Sequence, residues 1–344
     1  MWAASILSIA HLVAHKLILS GTPMPQAESD LVPQFQFLFP EVKADEDSVV
    51  ELVKPIYVRT TKDELALPKV TRFVTPVPLS NEQRYLYDLL RSEISRATNR
   101  ELSLIQRSQL RKVGRAAMRM LQFVSNPMLL VSSGALSEDL LGQLLAGGDS
   151  PKIELACNRA RHLAAEGKKC IIWSTFVENV ELIAYRLSDL GADFIHGGVE
   201  TGSEEEDQTR ENKIVRFHED PRAYILVANP AACGEGISLH TVCHHAIYLD
   251  RNFNAAQYLQ SEDRIHRLGL RPDQRTFVEI LVAPDTIDEV VDVRLRAKVS
   301  RMATVLNDKS LNIDPVTLDR DDESLDDGDW RLFLDHLAKK DVMA

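Results

Sequence analysis

The chain has 344 residues, of which 44% are hydrophobic, which is enough for more than one packed core. Its formal net charge of -11 excludes nonspecific nucleic-acid binding through overall charge, although a local basic surface is compatible with it. The four cysteines lack the paired CxxC spacing of a zinc site or disulfide scaffold, so neither is predicted and a reduced, cytoplasmic setting is expected.

Residues 1–44 open with an apolar run that ends in "KLILSGTPMPQ". His11, His15 and Lys16 interrupt the run and no basic segment precedes it, so neither a signal peptide nor a membrane span is predicted. The pattern indicates a helix followed by a buried strand. Because this strand and helix alone would leave one face uncovered, we expect them to be the tail of a domain whose body is missing.

Residues 45–150 are predicted to be mostly helical, and this region contains the basic part of an acidic chain. Residues 84–119 hold nine Arg or Lys against three Asp or Glu. Two interpretations stay open, since basic helices commonly form either a solvated face or a surface that follows nucleic-acid phosphates. In the second interpretation Arg107, Arg111 and Arg115 bind DNA.

Residues 151–306 alternate between helical and strand patterns. Helices are predicted through 165, over 178–190 and 210–218 and at the close of the region, with the strands "KKCIIWST", "ADFIHG", "AYILVAN", "HHAIYLD" and "TFVEILVA" between them. Such alternation predicts an α/β fold, a parallel sheet with helices on both faces. Residues 307–344 form an acidic tail.

The stretch "QYLQSEDRIHRLGL" places Gln260, Arg264 and Arg267 at i, i+4 and i+7, which predicts that they project from one helical face. A planar, permanently charged guanidinium suits phosphate oxygens that gain charge during transfer. The spacing alone equally allows a structural helix held to its neighbours by ion pairs of Glu262 and Asp263.

Gly234 and Gly236 follow a predicted buried strand, where the backbone N–H groups can approach a phosphate or ribose. A tight strand-to-helix turn explains this Gly-x-Gly equally well. The Cys-His-His triplet at 243–245 would alternate sides in a strand, so no metal site is predicted there.

Six segments occur in this order along the chain: "SGTPMPQ", "VRTTKDELALPKV", "PLSNEQRYLYDLL", "ANPAACGEGISL", "LDRNFNAAQYLQSEDRIHRLGL" and "APDTIDEVV". Together they resemble the Swi/Snf family of superfamily-two ATPases, especially its bacterial members, up to a brace-like helix near Lys298. The resemblance implies the tail of a first RecA-like lobe over 1–44, a helical family-specific region over 45–150, and a second RecA-like lobe with its brace over 151–306.

The resemblance also implies roles for single residues. Ser20, Gly21, Thr22 and Pro23 resemble motif III, which couples hydrolysis to lobe movement, and Arg59 and Lys62 match the basic positions before the "LP" element. Ser174 and Thr175 resemble motif IV and are expected near a DNA phosphate. Gly234, Gly236 and Ser238 of motif V and Asp263, Arg264 and Arg267 of motif VI are expected to bind ATP, with Gln260 and the two finger arginines as the catalytic groups.

Two departures from the family pattern stand out. Asn229 and Pro230 occupy positions where the family usually has hydroxyl residues, which puts a side-chain phosphate contact there in doubt. No GxxxxGK[ST] loop is present, and no Asp-Glu pair follows a buried strand. ATP and Mg²⁺ are therefore expected to bind mainly through a missing amino-terminal RecA-like lobe, either from the same polypeptide or from a separate subunit.

The favoured hypothesis is the arginine-finger lobe of a double-stranded DNA translocase that is inactive without that lobe. The rival is a non-catalytic DNA- or protein-binding regulatory module that retains the fold. A metal or thiol enzyme has only scattered Cys and His residues to support it.

Overall fold

The computed structural model describes residues 2–24, 27–99, 107–131, 142, 149–233, 237–313 and 336–337, without the side chains of 2–3, 97–99 and 107–113. Within this part of the chain, six strands form one sheet of order β1-β6-β5-β2-β4-β3, and every neighbouring pair is parallel. The strands are β1 (Val70–Pro76), β2 (Lys169–Trp173), β3 (Asp193–Ile195), β4 (Ile225–Ala228), β5 (Cys243–Tyr248) and β6 (Thr276–Val282).

The helices fall into an amino-terminal group and a group that alternates with the strands. The first group is α1 (Trp2–Ile9), α2 (Leu31–Leu38), α3 (Val49–Val53), α4 (Asn81–Asn99), α5 (Arg107–Ser125) and α6 (Met128–Val131). The second is α7 (Pro151–Ala165), α8 (Val177–Arg186), α9 (Arg210–Glu219), α10 (Ala255–Glu262) and α11 (Ile287–Val305).

Alternating strand residues divide the core into two layers. In β2, Cys170 and Ile172 are fully buried in a cluster that also contains residues of α7 and α8. Ile171 and Trp173, on the opposite face, are buried with residues of α5, α10 and α11. Successive side chains of a strand point to opposite faces, so both faces of this sheet are covered. The predicted α/β fold, a parallel sheet with helices on both faces, is confirmed.

One strand was not predicted, and one local expectation was wrong. Strand β1 lies inside the region predicted to be mostly helical, and it pairs with β6 along its whole length, from Val70 opposite Thr276 to Pro76 opposite Val282. The buried strand expected before "SGTP" is not formed, and Leu17 and Leu19 are 77% and 86% exposed. A strand forms only where another strand satisfies its backbone groups, and the described residues offer none to this segment.

Side-chain caps fix the start of two helices, α10 and α11. Asn254 caps α10 by accepting a hydrogen bond from the Gln257 backbone N–H, and Thr286 caps α11 in the same way through the N–H of Asp288. Among the described residues, no helix is both long enough and apolar enough to cross a membrane.

Candidate functional site

The turn after α10 carries the two arginines singled out by the sequence. Helix α10 ends at Glu262, so Arg264 and Arg267 do not share one continuous helical face with Gln260, and that expectation was wrong. Arg264 is held in place because its Nε donates to the Gln260 carbonyl at 3.0 Å and a terminal nitrogen donates to the Ile237 carbonyl at 3.0 Å. Arg267 is exposed.

The two guanidiniums lie close enough to affect each other. Burial, and then the positive charge of Arg267, lower the pKa of Arg264. Two like charges held near each other favour an anion between or beside them, and a phosphate accepts planar N–H forks well. The residues present therefore fit the phosphates of a nucleotide.

The two acids beside these arginines are engaged elsewhere. Glu262 is fully buried and accepts two hydrogen bonds from the guanidinium of Arg72 on β1, at 2.8 and 2.5 Å. Asp263 accepts from the Lys62 ammonium at 2.5 Å. The ion pairs of Glu262 and Asp263 expected for a structural helix are therefore present. Their basic partners are Arg72 and Lys62 rather than the two arginines of the turn.

Burial opposes the ionisation of Glu262, yet the charge and hydrogen bonds of Arg72 outweigh burial and hold the pKa of Glu262 below its usual value. The charged pair ties the end of α10 to strand β1. Sequence reasoning missed Arg72, because the strand that carries it was not predicted.

The segment Ser20, Gly21, Thr22 and Pro23 reaches α10. The Thr22 hydroxyl is buried and accepts a hydrogen bond from the side-chain amide of Gln260 at 2.9 Å. The Gly21 carbonyl accepts from Arg59 at 2.8 Å, and Arg59 also pairs with the buried carboxylate of Asp308 at 2.5 Å. The structure therefore joins the segment at 20–23 to the helix that precedes the two arginines.

The segment after the 234–236 glycines runs beside the same turn. Gly234 and Gly236 lie outside the described residues. Just beyond them, the Leu239 backbone N–H donates to the Arg264 carbonyl at 2.8 Å, which sets this segment against the turn. Ser238 lies here too, and its hydroxyl is hydrogen-bonded to Nδ1 of His240 at 3.0 Å.

His240 was not identified from the sequence. Its side chain limits how closely the backbone of the turn can approach the segment after the 234–236 glycines. Its Nε2 lies 2.7 Å from the position that a Cβ on Gly269 would occupy, and Gly269 has φ +112°. Only glycine fits this backbone conformation and this contact. Burial, and then the charge of Arg267, lower the pKa of His240, which favours the neutral imidazole.

Ser174 and Thr175 follow β2, and they differ in burial. Ser174 is fully buried and its hydroxyl donates to Asp250 Oδ2 at 2.7 Å, so a direct DNA contact by Ser174 does not fit. Thr175 is partly exposed, while its N–H donates to Asp250 Oδ1 at 2.6 Å and its carbonyl accepts from Asn229 at 2.7 Å. Asn229 is thus used to hold this loop.

The basic residues of α4 and α5 also divide into two kinds. Arg84 donates to the Pro284 and Asp285 carbonyls at 2.6 and 3.1 Å, and Arg91 is buried beside Asp88. Arg115 is exposed on α5. Arg107 and Arg111 lie on the same helix, and their side chains fall outside the described part of the chain. At least part of the basic set therefore stabilises the fold.

Comparisons with known proteins find relatives of one kind. A family model described as the helicase conserved C-terminal domain matches residues 152–269. YwqA of Bacillus subtilis, whose name describes an ATP-dependent helicase/translocase, is 27% identical over 314 residues, which cover 83% of this chain and 32% of YwqA. A Danio rerio SWI/SNF-related regulator of chromatin, subfamily A containing DEAD/H box 1A, is 22% identical, covering 80% of this chain and 34% of that protein.

Among solved structures, the SWI2/SNF2 ATPase core of Sulfolobus solfataricus in complex with dsDNA has a similar fold, with a TM-score of 0.51 and 21% identity. The match covers 85% of this chain and 63% of that one. The chain thus spans about a third of the length of the curated relatives named above.

Proposed function

We propose that the chain carries the C-terminal lobe of a Swi/Snf-type helicase-like ATPase and supplies the arginine fingers of an ATP-dependent double-stranded DNA translocase. The partner in this proposal is an amino-terminal RecA-like lobe with the phosphate-binding loop, from the same polypeptide or a separate subunit. Without that lobe the chain does not hydrolyse ATP.

One observation carries the proposal: the arrangement of Arg264 and Arg267 in the turn after α10. Arg264 is fixed by two backbone carbonyls, while Glu262 and Asp263 are bound to Arg72 and Lys62. Pre-positioned guanidiniums stabilise charge that develops on a transferring phosphoryl group, because they need no reorganisation when that charge appears. A purely structural turn does not need this arrangement.

In this proposal ATP supplies the phosphoryl group that is transferred to water. This lobe contributes the cationic side chains that stabilise the charge on that group. Arg264 and Arg267 would face the phosphates, and Ser238 would lie beside them through the segment that contacts Arg264. Mg²⁺ fits this half of the site poorly, since Asp263 is neutralised by Lys62. We assign the metal mainly to the partner lobe.

The link between Thr22 and Gln260 supports a coupling role for residues 20–23. This segment is hydrogen-bonded to α10 on one side and to Arg59 on the other. A change in the turn when the nucleotide is hydrolysed would therefore reach the amino-terminal segment directly. DNA would contact the partly exposed Thr175 and the exposed basic side chains of α5, including Arg115.

The test is a steady-state ATPase assay with duplex DNA on the chain alone and on a two-lobe enzyme. We expect no turnover above background from the chain alone. In the two-lobe enzyme, Arg267→Ala should reduce turnover by about 10³-fold and change nucleotide affinity far less. Arg267→Lys should not restore turnover, because an ammonium lacks the planar fork.

Arg271 provides the matched control, since it is an exposed arginine (70% of its side chain) four residues further on. Arg271→Ala should leave turnover unchanged. The finger assignment would be wrong if the Arg267 variants lowered the melting temperature while turnover per folded molecule stayed intact. DNA or protein binding with no turnover in any two-lobe preparation would favour a regulatory module instead.

A further inference from the structure

Asp250 lies at the point where the loop after β2 meets the end of α5. It follows β5 and its side chain is almost completely buried, at 3% exposure. One carboxylate oxygen accepts hydrogen bonds from Ser174 and from Ser125, at 2.7 and 2.5 Å. The other accepts from the Thr175 backbone N–H at 2.6 Å. A buried carboxylate needs such donors, and here they come from two separate elements.

Ser125 is the last residue of α5, the helix with the exposed Arg115. Its hydroxyl donates to Asp250 and also accepts from the side-chain amide of Asn179 at 2.8 Å. Asn179 in turn accepts from Asn126 at 2.9 Å. The end of the basic helix is therefore fixed to the loop after β2 by a continuous buried network.

We propose that Asp250 is a positioning residue that sets the Thr175 loop and helix α5 in one fixed geometry, so that Thr175 and the exposed Arg115 of α5 engage the phosphate backbone of duplex DNA as a unit. This inference rests on the proposed DNA-binding function. Ser174, which the sequence suggested as a phosphate contact, serves here as a donor to the Asp250 carboxylate.

The shared carboxylate makes the two elements rigid relative to each other. A backbone N–H and a helix-end hydroxyl that share one buried carboxylate cannot move independently without leaving a polar group unsatisfied. DNA phosphates are spaced regularly along the duplex, so two protein contacts bind cooperatively when their separation is fixed and independently when it is not. Asp250 itself touches no DNA in this proposal.

Two buried serines, Ser125 at the end of α5 and Ser150 just before α7, give a matched pair of variants. Ser125→Ala removes the hydroxyl that joins α5 to Asp250. Ser150→Ala removes a hydroxyl that donates to the Ser125 carbonyl at 2.9 Å and leaves the carboxylate and its donors intact. Both residues are buried, so both variants test the same environment.

The first measurement needs no DNA. Hydrogen exchange of the full chain is followed by mass spectrometry in a peptide that spans Thr175. Ser125→Ala should raise exchange at the Thr175 amide by about tenfold, whereas Ser150→Ala should leave it near the native rate. Equal exchange in the two variants would overturn the idea that α5 holds this loop through Asp250.

The second measurement is a double-mutant cycle for duplex DNA affinity, with Arg115→Ala and Thr175→Val. In the native chain the two changes should be non-additive by about threefold or more, and Ser125→Ala should make them additive while Ser150→Ala should not. Additive effects in the native chain would overturn the proposal.

Asp250→Asn is the conservative variant, since it keeps one acceptor for the Thr175 N–H and loses one for the hydroxyls. It should preserve the fold and reduce the non-additivity. A native chain that binds no duplex DNA would remove the proposed function and the DNA role of Asp250 together. The exchange measurement would still decide whether Asp250 joins the two elements.

Discussion

Arg72→Ala is the perturbation whose effect can be worked most directly from the structure. The variant leaves the carboxylate of Glu262, which is fully buried, without its two hydrogen bonds from β1. Removing one member of a buried ion pair typically costs about 3–5 kcal/mol. For a chain of 344 residues, about 1.4 °C of melting temperature is lost per kcal/mol, so we expect a fall of roughly 4–7 °C.

Circular dichroism during thermal unfolding gives the measurement, and an exposed ion pair gives the control. Arg161 and Asp189 are 2.5 Å apart with side chains 44% and 58% exposed. Exposed pairs contribute about 0–1 kcal/mol, so Arg161→Ala should change the melting temperature little. If Arg72→Ala lowered the melting temperature no more than Arg161→Ala did, the buried pair would not be the link between β1 and α10 inferred above.

The pH dependence of the same variant provides a second check. In the native chain the pKa of Glu262 is lowered, so its contribution to stability is present above the ordinary pKa of 4.5 and is lost as pH falls through the lowered value. In Arg72→Ala burial acts without Arg72 and raises that pKa. The stability deficit should therefore shrink from pH 7 to pH 4, and it should become nearly independent of pH when Glu262→Gln is added.

Gly269→Ala should destabilise the chain by about 1–3 kcal/mol in denaturant unfolding, because it combines a positive φ with a contact to His240, whereas Gly21→Ala, with no atom within 4 Å, should not; equal effects would contradict this reasoning. Replacing three α5 residues with Glu should weaken duplex DNA binding and reduce the slope of log affinity against log salt by about three, and an unchanged slope would make this face merely solvated. The three residues are Arg107, Arg111 and Arg115.

The alternating lobe could be predicted from the sequence because its signals are local. The strands from β2 to β6 are short and largely apolar, and a helical pattern separates each from the next along the chain, except between β4 and β5. Strand β1 was missed for the opposite reason. Its sequence "VTRFVTP" lies in a region with a mostly helical pattern, and its partner β6 is far along the chain. Local patterns do not report a pairing of that kind.

The sequence suggested the residues of the candidate site, but part of their geometry was not predicted. The spacing of Gln260, Arg264 and Arg267 suggested one helix, but α10 ends before the arginines, and the turn is held by Leu239 from another segment. The burial of Ser174 depends on Asp250, which lies 76 residues away in sequence. Burial and such long-range partners follow from tertiary packing, which sequence spacing does not encode.

The pairing of β1 with β6 also affects the order in which this protein can be made. Residue 70 leaves the ribosome long before residue 276, its partner in the sheet. Until then the backbone edge of β1 and the charge of Arg72 have no native partners, although α4, α5 and strands β2 to β5 are already synthesised. Closing so long a loop is entropically costly and slows folding. The nascent lobe must therefore keep this edge from pairing with other chains until β6 has been synthesised.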